Sequence, residues 1–74
     1  MRSSRDYVVV IEKCSDGTYS AYVPDLPGCF TSGNSIDDVR ALIEEAVELH
    51  IDSLRKHGEP VPAPATTVHI IHAA

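Results

Sequence analysis

The 74-residue chain contains no tryptophan, one phenylalanine and two cysteines, and nowhere does it hold a run of about 18 apolar residues. The last absence excludes a membrane-spanning helix. The apolar stretch VVVI near the start is closed at once by Glu12 and Lys13, too short for the core of a secretion signal, so a cytoplasmic protein is expected. Cys14 and Cys29 are then expected to be reduced thiols. Basic residues are also scarce. Eleven acidic side chains stand against six basic ones, giving a net charge of −5, and the cations form no stripe. Direct nucleic-acid binding is disfavoured on that ground, because phosphate contacts reward clustered Lys and Arg, whereas a basic protein partner is favoured.

What is present fits a small folded domain. Apolar residues make up 43% of the chain, and its length corresponds to one domain spanning residues 1–74, with a disordered start at about 1–5. A chain this short buries only roughly 60–65% of the surface its unfolded form exposes. Its core contributes at most about 3–5 kcal/mol, so a second subunit is an expected source of further stability.

The hydrophobic pattern changes period once. Tyr7 to Glu12 is rich in β-branched and aromatic residues, Thr18 to Val23 alternates between two faces, and Ser15-Asp16-Gly17 between them is a turn signal, which together predict a hairpin. Pro24 and Pro27 then interrupt the ladder, after which CFTSG resumes a short third strand. From Ile36 onward the period is helical. Ile36, Val39, Ile43, Ala46, Val47, the amphipathic His50, Ile51 and Leu54 fall on one stripe, widened by Leu42 and Leu49. Ser35 is a candidate cap with Asp38 three residues on, Asp37 and Asp38 sit in the first turn, Arg55 and Lys56 in the last, and Gly58 suits the position after the end. Beyond the proline-rich GEPVPAPA, the residues TVHII predict a last strand beside the first through a right-handed crossover. The predicted class is α+β, ordered β-β-β-α-β, an antiparallel three-stranded meander with one long helix on one face.

The stretch VPDLPGCFTSGNS holds two prolines and two glycines in thirteen residues. Its flanks make it a corner. Asp25 is expected to accept backbone hydrogen bonds within the turn, and Cys29 to pack as a small buried hydrophobe.

The residues from Tyr19 to Val23 running into Pro24-Asp25-Leu26-Pro27-Gly28-Cys29, then Gly33 and Ser35 before the helix, and Gly58-Glu59-Pro60 followed by Pro62, resemble the HicB-like antitoxin family. The resemblance covers Tyr7 to Pro64. It implies a partially degraded ribonuclease-H-like fold that neutralises a small HicA toxin, itself a messenger-RNA-cleaving protein with a double-stranded-RNA-binding-like fold, by blocking its active-site face. Members of the family often carry a C-terminal DNA-binding domain. This sequence stops at Ala74, so repression of its own operon is not expected of it, and a solitary homo-oligomer without a toxin, structural, regulatory or ligand-sensing, is the alternative.

A nuclease reading fails on its ligands. Two-metal hydrolysis needs several carboxylates converging from different elements, yet the first strand centres on VVVI and the last, VHII, has no acid. No CxxC or HxxxH spacing occurs either, so neither a metal, a cofactor nor catalytic residues are expected. The helix acids admit two readings. Glu44, Glu45, Glu48 and Asp52 are a solvated polar face, or Glu45, Glu48 and Asp52 are an acidic surface for a basic toxin, in which Glu48 and Asp52 repel at i, i+4 until a cation relieves them. Tyr22, with Tyr7 and Tyr19, marks the uncovered sheet face or an open edge as a candidate contact between copies.

Overall fold

The computed structural model describes residues 6–73; the expected disorder at 1–5 lies outside them. Strands β1 (Val10–Lys13), β2 (Tyr19–Tyr22) and β3 (Phe30–Gly33) precede helix α1 (Ile36–Lys56). The strands form one antiparallel sheet in the order β1-β2-β3, so the α+β class and the meander are as the sequence predicts.

Local chemistry sets each corner. Between β1 and β2, the Asp16 carboxylate accepts the Thr18 N–H at 3.0 Å and the Thr18 hydroxyl at 2.6 Å. Those two bonds hold the Asp16 carboxyl below its ordinary value, the hydroxyl contributing most. Between β2 and β3, Val23, Leu26 and Cys29 close two successive turns on one another. Leu26 N–H donates to the Val23 carbonyl at 3.1 Å, Cys29 N–H to that of Leu26 at 3.0 Å, and Val23 N–H to that of Cys29 at 3.1 Å. The second turn reads Leu26-Pro27-Gly28-Cys29, and Gly28 takes φ +85°, the left-handed position after proline that a type II turn assigns to glycine.

The helix is capped as its sequence predicts. The Ser35 hydroxyl accepts the Asp38 N–H at 3.1 Å, and Gly58 N–H closes the far end on the Arg55 carbonyl at 3.1 Å. A β-carbon on Gly33 would lie 3.2 Å from the Val39 backbone nitrogen. That absent methyl lets β3 lie directly against the first turn of α1.

The register sorts the sheet into two faces. Ile11, Ala21 and Thr31 align across the strands and Ala21 is buried with Val23, Leu26, Cys29, Val39, Ile43 and Ile51. Three of these seven come from the corner rather than from any strand or helix. Val10, Tyr22 and Phe30 align on the opposite face, which α1 does not cover, and Phe30 is 72% exposed.

Two expectations need correction. Ile36 does not join the buried stripe, and Leu42 and Leu49 do not widen it; all three stay exposed, because α1 lies over β2 and β3 and a sheet of three short strands is too narrow to cover them. The last strand is also missing among the described residues. Residues 59–73 run without ladder pairing, and Val68, Ile70 and Ile71 are 61%, 86% and 77% exposed. The cause is visible upstream. The Tyr7 hydroxyl donates to the Pro62 carbonyl as the chain passes the start of the sheet, and Asp25 then catches Ala65 and Thr66, directing the segment to the corner instead of along β1.

Candidate functional site

Because α1 sits over β2 and β3, the flank beside Tyr7 and Val9, which lead into β1, is left open as a groove of about 560 Å³. Tyr7, Val9, Ile43, Val47 and Ile51 give it an apolar floor, and Glu44, Glu48, Asp52 and Arg55 line its rim. The three acids recur at i, i+4 and i+8, so they stand one above another along a single side of the helix. Glu48 and Asp52 thus share the rim with Glu44. Glu45 is exposed and extends the acidic surface away from the groove. Tyr22 does not join them: it lies with Val10 and Phe30 on the other side of the sheet.

The residues of the corner have structural work. Leu26 is completely buried, Pro24 and Pro27 sit in the two turns, and Gly28, Gly33, Ser35 and Gly58 take the positions described above. Asp25 does more than its own turn requires. Its Oδ2 accepts the N–H groups of Ala65 at 2.9 Å and Thr66 at 3.0 Å, and its Oδ1 accepts the Thr66 hydroxyl at 2.9 Å. These donors come from the far end of the chain, about forty residues away in sequence. No spacing rule links the two segments, so sequence reasoning missed Thr66. The signal available was only that Asp25, half-buried, follows one proline and precedes another.

Cys14 and Cys29 are both free, and burial pushes the Cys29 thiol up. Among the described residues no three His, Cys, Asp or Glu side chains are grouped so as to hold a metal ion, and no helix is long and apolar enough to cross a membrane.

This geometry combines a corner-plugged core with an acidic, grooved helix flank. Residues 7–74 match the family model described as the HicB-like antitoxin of bacterial toxin-antitoxin system. The chain belongs to the HicB-like antitoxin family. Among its relatives, a UPF0150 protein of Thermoplasma acidophilum is 46% identical over 66 residues, covering 85% of this chain and 96% of its own length. A UPF0150 protein of Synechocystis is 42% identical over 57 residues, 77% of this chain and 72% of the relative. A 14.9 kDa protein of Haemophilus phage HP1 is 38% identical over 56 residues, which cover 76% of this chain but 41% of the phage protein. The HicB-like unit therefore occurs both nearly alone and within a longer chain.

Proposed function

We propose that this HicB-like chain is a non-catalytic antitoxin of the cytoplasm, which binds a small basic HicA-type messenger-RNA-cleaving toxin and occludes its active-site face while itself assembled as a homo-oligomer. The observation that carries the reading is the acidic flank of α1. Glu44, Glu48 and Asp52 are stacked along the groove and Glu45 is exposed beside them, on a chain whose net charge is −5. A cationic partner relieves the repulsion between stacked carboxylates and is steered to them by the field of the whole protein. Occlusion requires a rigid surface and no reacting group, consistent with a helix fixed at both ends and with the family's role. The same charge opposes direct contact with nucleic acid.

The test is co-expression with a HicA-type toxin. Rescue of growth and a co-purifying complex are expected, with affinity falling as salt rises. Substituting Glu45, Glu48 and Asp52 together by Lys should abolish the complex while leaving the helical circular-dichroism signal intact; an unchanged affinity would remove the acidic flank from the interface. A second reading, a solitary homo-oligomer that is structural, regulatory or ligand-sensing, is favoured by the apolar floor of the groove. Failure to bind any HicA-type toxin would select it.

A further inference from the structure

The fold holds an unfilled place and an unpaired strand. The unfilled place is the outer edge of β1, which among the described residues has a neighbour on one side only, together with the groove at the start of that strand, floored by Val9, Val47 and Ile51. An open edge next to an apolar trough is the site for one more strand. The unpaired strand is Thr67 to His72, TVHIIH. It is β-branched and without ladder partners among the described residues, and it exposes Val68, Ile70 and Ile71. It is not a fraying end, because the three bonds from Asp25 to Ala65 and Thr66 fix where it leaves the body. Those bonds hold its start at the corner between β2 and β3, and among the described residues nothing pairs with the outer edge of β1.

We infer that the segment Thr67–His72 of one copy adds as a fourth strand to the β1 edge of a second copy, and that the exchange is reciprocal. This rests on the homo-oligomer reading above and names the contact that makes it. Three observations select a second copy as occupant. Period-two alternation places Val68 and Ile70 on one side, where they meet the groove floor, while the backbone pairs with β1. The segment has no acid, and the same alternation puts His72 on the side of Val68 and Ile70, towards a rim that carries Glu44, Glu48 and Asp52. Six residues at about 3.3 Å each span roughly 20 Å, ample to cross the width of β1, whose four residues need less. A two-fold axis makes each copy both donor and acceptor, so every contact counts twice. Glu45 stays outside the filled groove, whereas Glu44, Glu48 and Asp52 lie on its rim, so a toxin that uses those three acids competes with the second copy.

The experiment is light scattering of the full chain and of Ile70→Asp, with amide hydrogen exchange on both. Ile70 is 86% exposed within one copy, so the substitution leaves the individual fold intact, which circular dichroism verifies. Wild type should scatter as a dimer or a higher assembly with the Val68–Ile71 amides protected, and Ile70→Asp should scatter as the 8.0 kDa monomer with those amides exchanging freely. A dimer that persists in Ile70→Asp, with Val68–Ile71 unprotected, overturns the strand exchange and moves the contact to the Val10, Tyr22 and Phe30 face. A wild-type monomer overturns both this inference and the homo-oligomer reading. Release of the second copy by a HicA-type toxin, with the same amides losing protection in the complex, is expected if toxin and segment compete for the groove.

Discussion

Asp25 and Thr66 are joined by two bonds, Thr66 N–H to Oδ2 at 3.0 Å and the Thr66 hydroxyl to Oδ1 at 2.9 Å, across forty-one positions of sequence. With the Ala65 N–H on the same Oδ2, one carboxylate satisfies three donors and locks the chain's last segment to the corner between β2 and β3. Charge-assisted bonds of this kind contribute more than neutral ones.

Asp25→Ala should therefore destabilise the fold by on the order of 2 kcal/mol, a partial loss because Asp25 is only half-buried and water replaces some of the bonds. Urea unfolding followed by circular dichroism reads this. The amides of Ala65 and Thr66 should lose their protection while those of α1 keep theirs. Equal loss in both would mean that the carboxylate supports the whole core and not the final segment.

Leu26 belongs to the same corner, yet it is completely buried, and its neighbours Val23 and Cys29 are fixed by the turn bonds around it. The site cannot collapse to fill a void. Leu26→Ala should cost about 3 kcal/mol, close to the whole stability that a core of this size provides. Thermal unfolding should show a chain largely unfolded at 37 °C, where Leu26→Met stays folded. A cooperative transition little changed in Leu26→Ala would mean that the corner is not a core element.

The two thiols should separate in reactivity. Cys29 is 4% exposed and its thiol is pushed up by burial, whereas Cys14 is only half-buried, at the end of β1. Thiolate fraction and access both govern alkylation. In native buffer iodoacetamide should add one group per chain, at Cys14, and Cys14→Ser should remain unlabelled until urea unfolds it. Rapid labelling of the Cys14→Ser protein in native buffer would show that the corner opens without global unfolding.

The helix and the meander were legible because local rules decide them. Ser35, the acids after it and the period of Val39, Ile43 and Ile51 agree with one another, and Asp16-Gly17 and Pro27-Gly28 each specify a turn. The burial of Cys29 has a local cause of the same kind, since its N–H closes the Pro27-Gly28 turn on the Leu26 carbonyl. Leu42 and Leu49 were misread because helical period shows which residues share a side, but not how wide the opposing sheet is. The last strand failed differently. TVHII has strand character, but pairing is a property of the partner edge, and the non-local grip of Asp25 on Thr66 decides which edge it can reach. Within the candidate site, the alignment of Glu48 and Asp52 followed from helix spacing, while the groove under them depends on α1 sitting to one side of the sheet, which no residue pattern states.

The hairpin turn gives a prediction with a definite sign. The Thr18 hydroxyl and N–H bind the ionised form of Asp16 and lower its pKa from the ordinary value of 3.8. A group whose folded pKa is depressed releases its proton more readily when folded, so it stabilises the fold fully above the unfolded value and loses that contribution as pH falls through the folded one. The window is therefore acidic, at and below pH about 4, and nothing should change from this group near neutrality. Carboxyl-carbon NMR of Asp16 should give a midpoint below 3.8. Thr18→Val removes the hydroxyl, the larger cause, but keeps the N–H, so the midpoint should rise part of the way and not the whole. A complete return to the ordinary value would mean that the backbone bond fails once the hydroxyl is gone. No movement at all would show that the hydroxyl spends its time with water, and the Asp16 turn would then rest on Gly17 and the backbone bond alone.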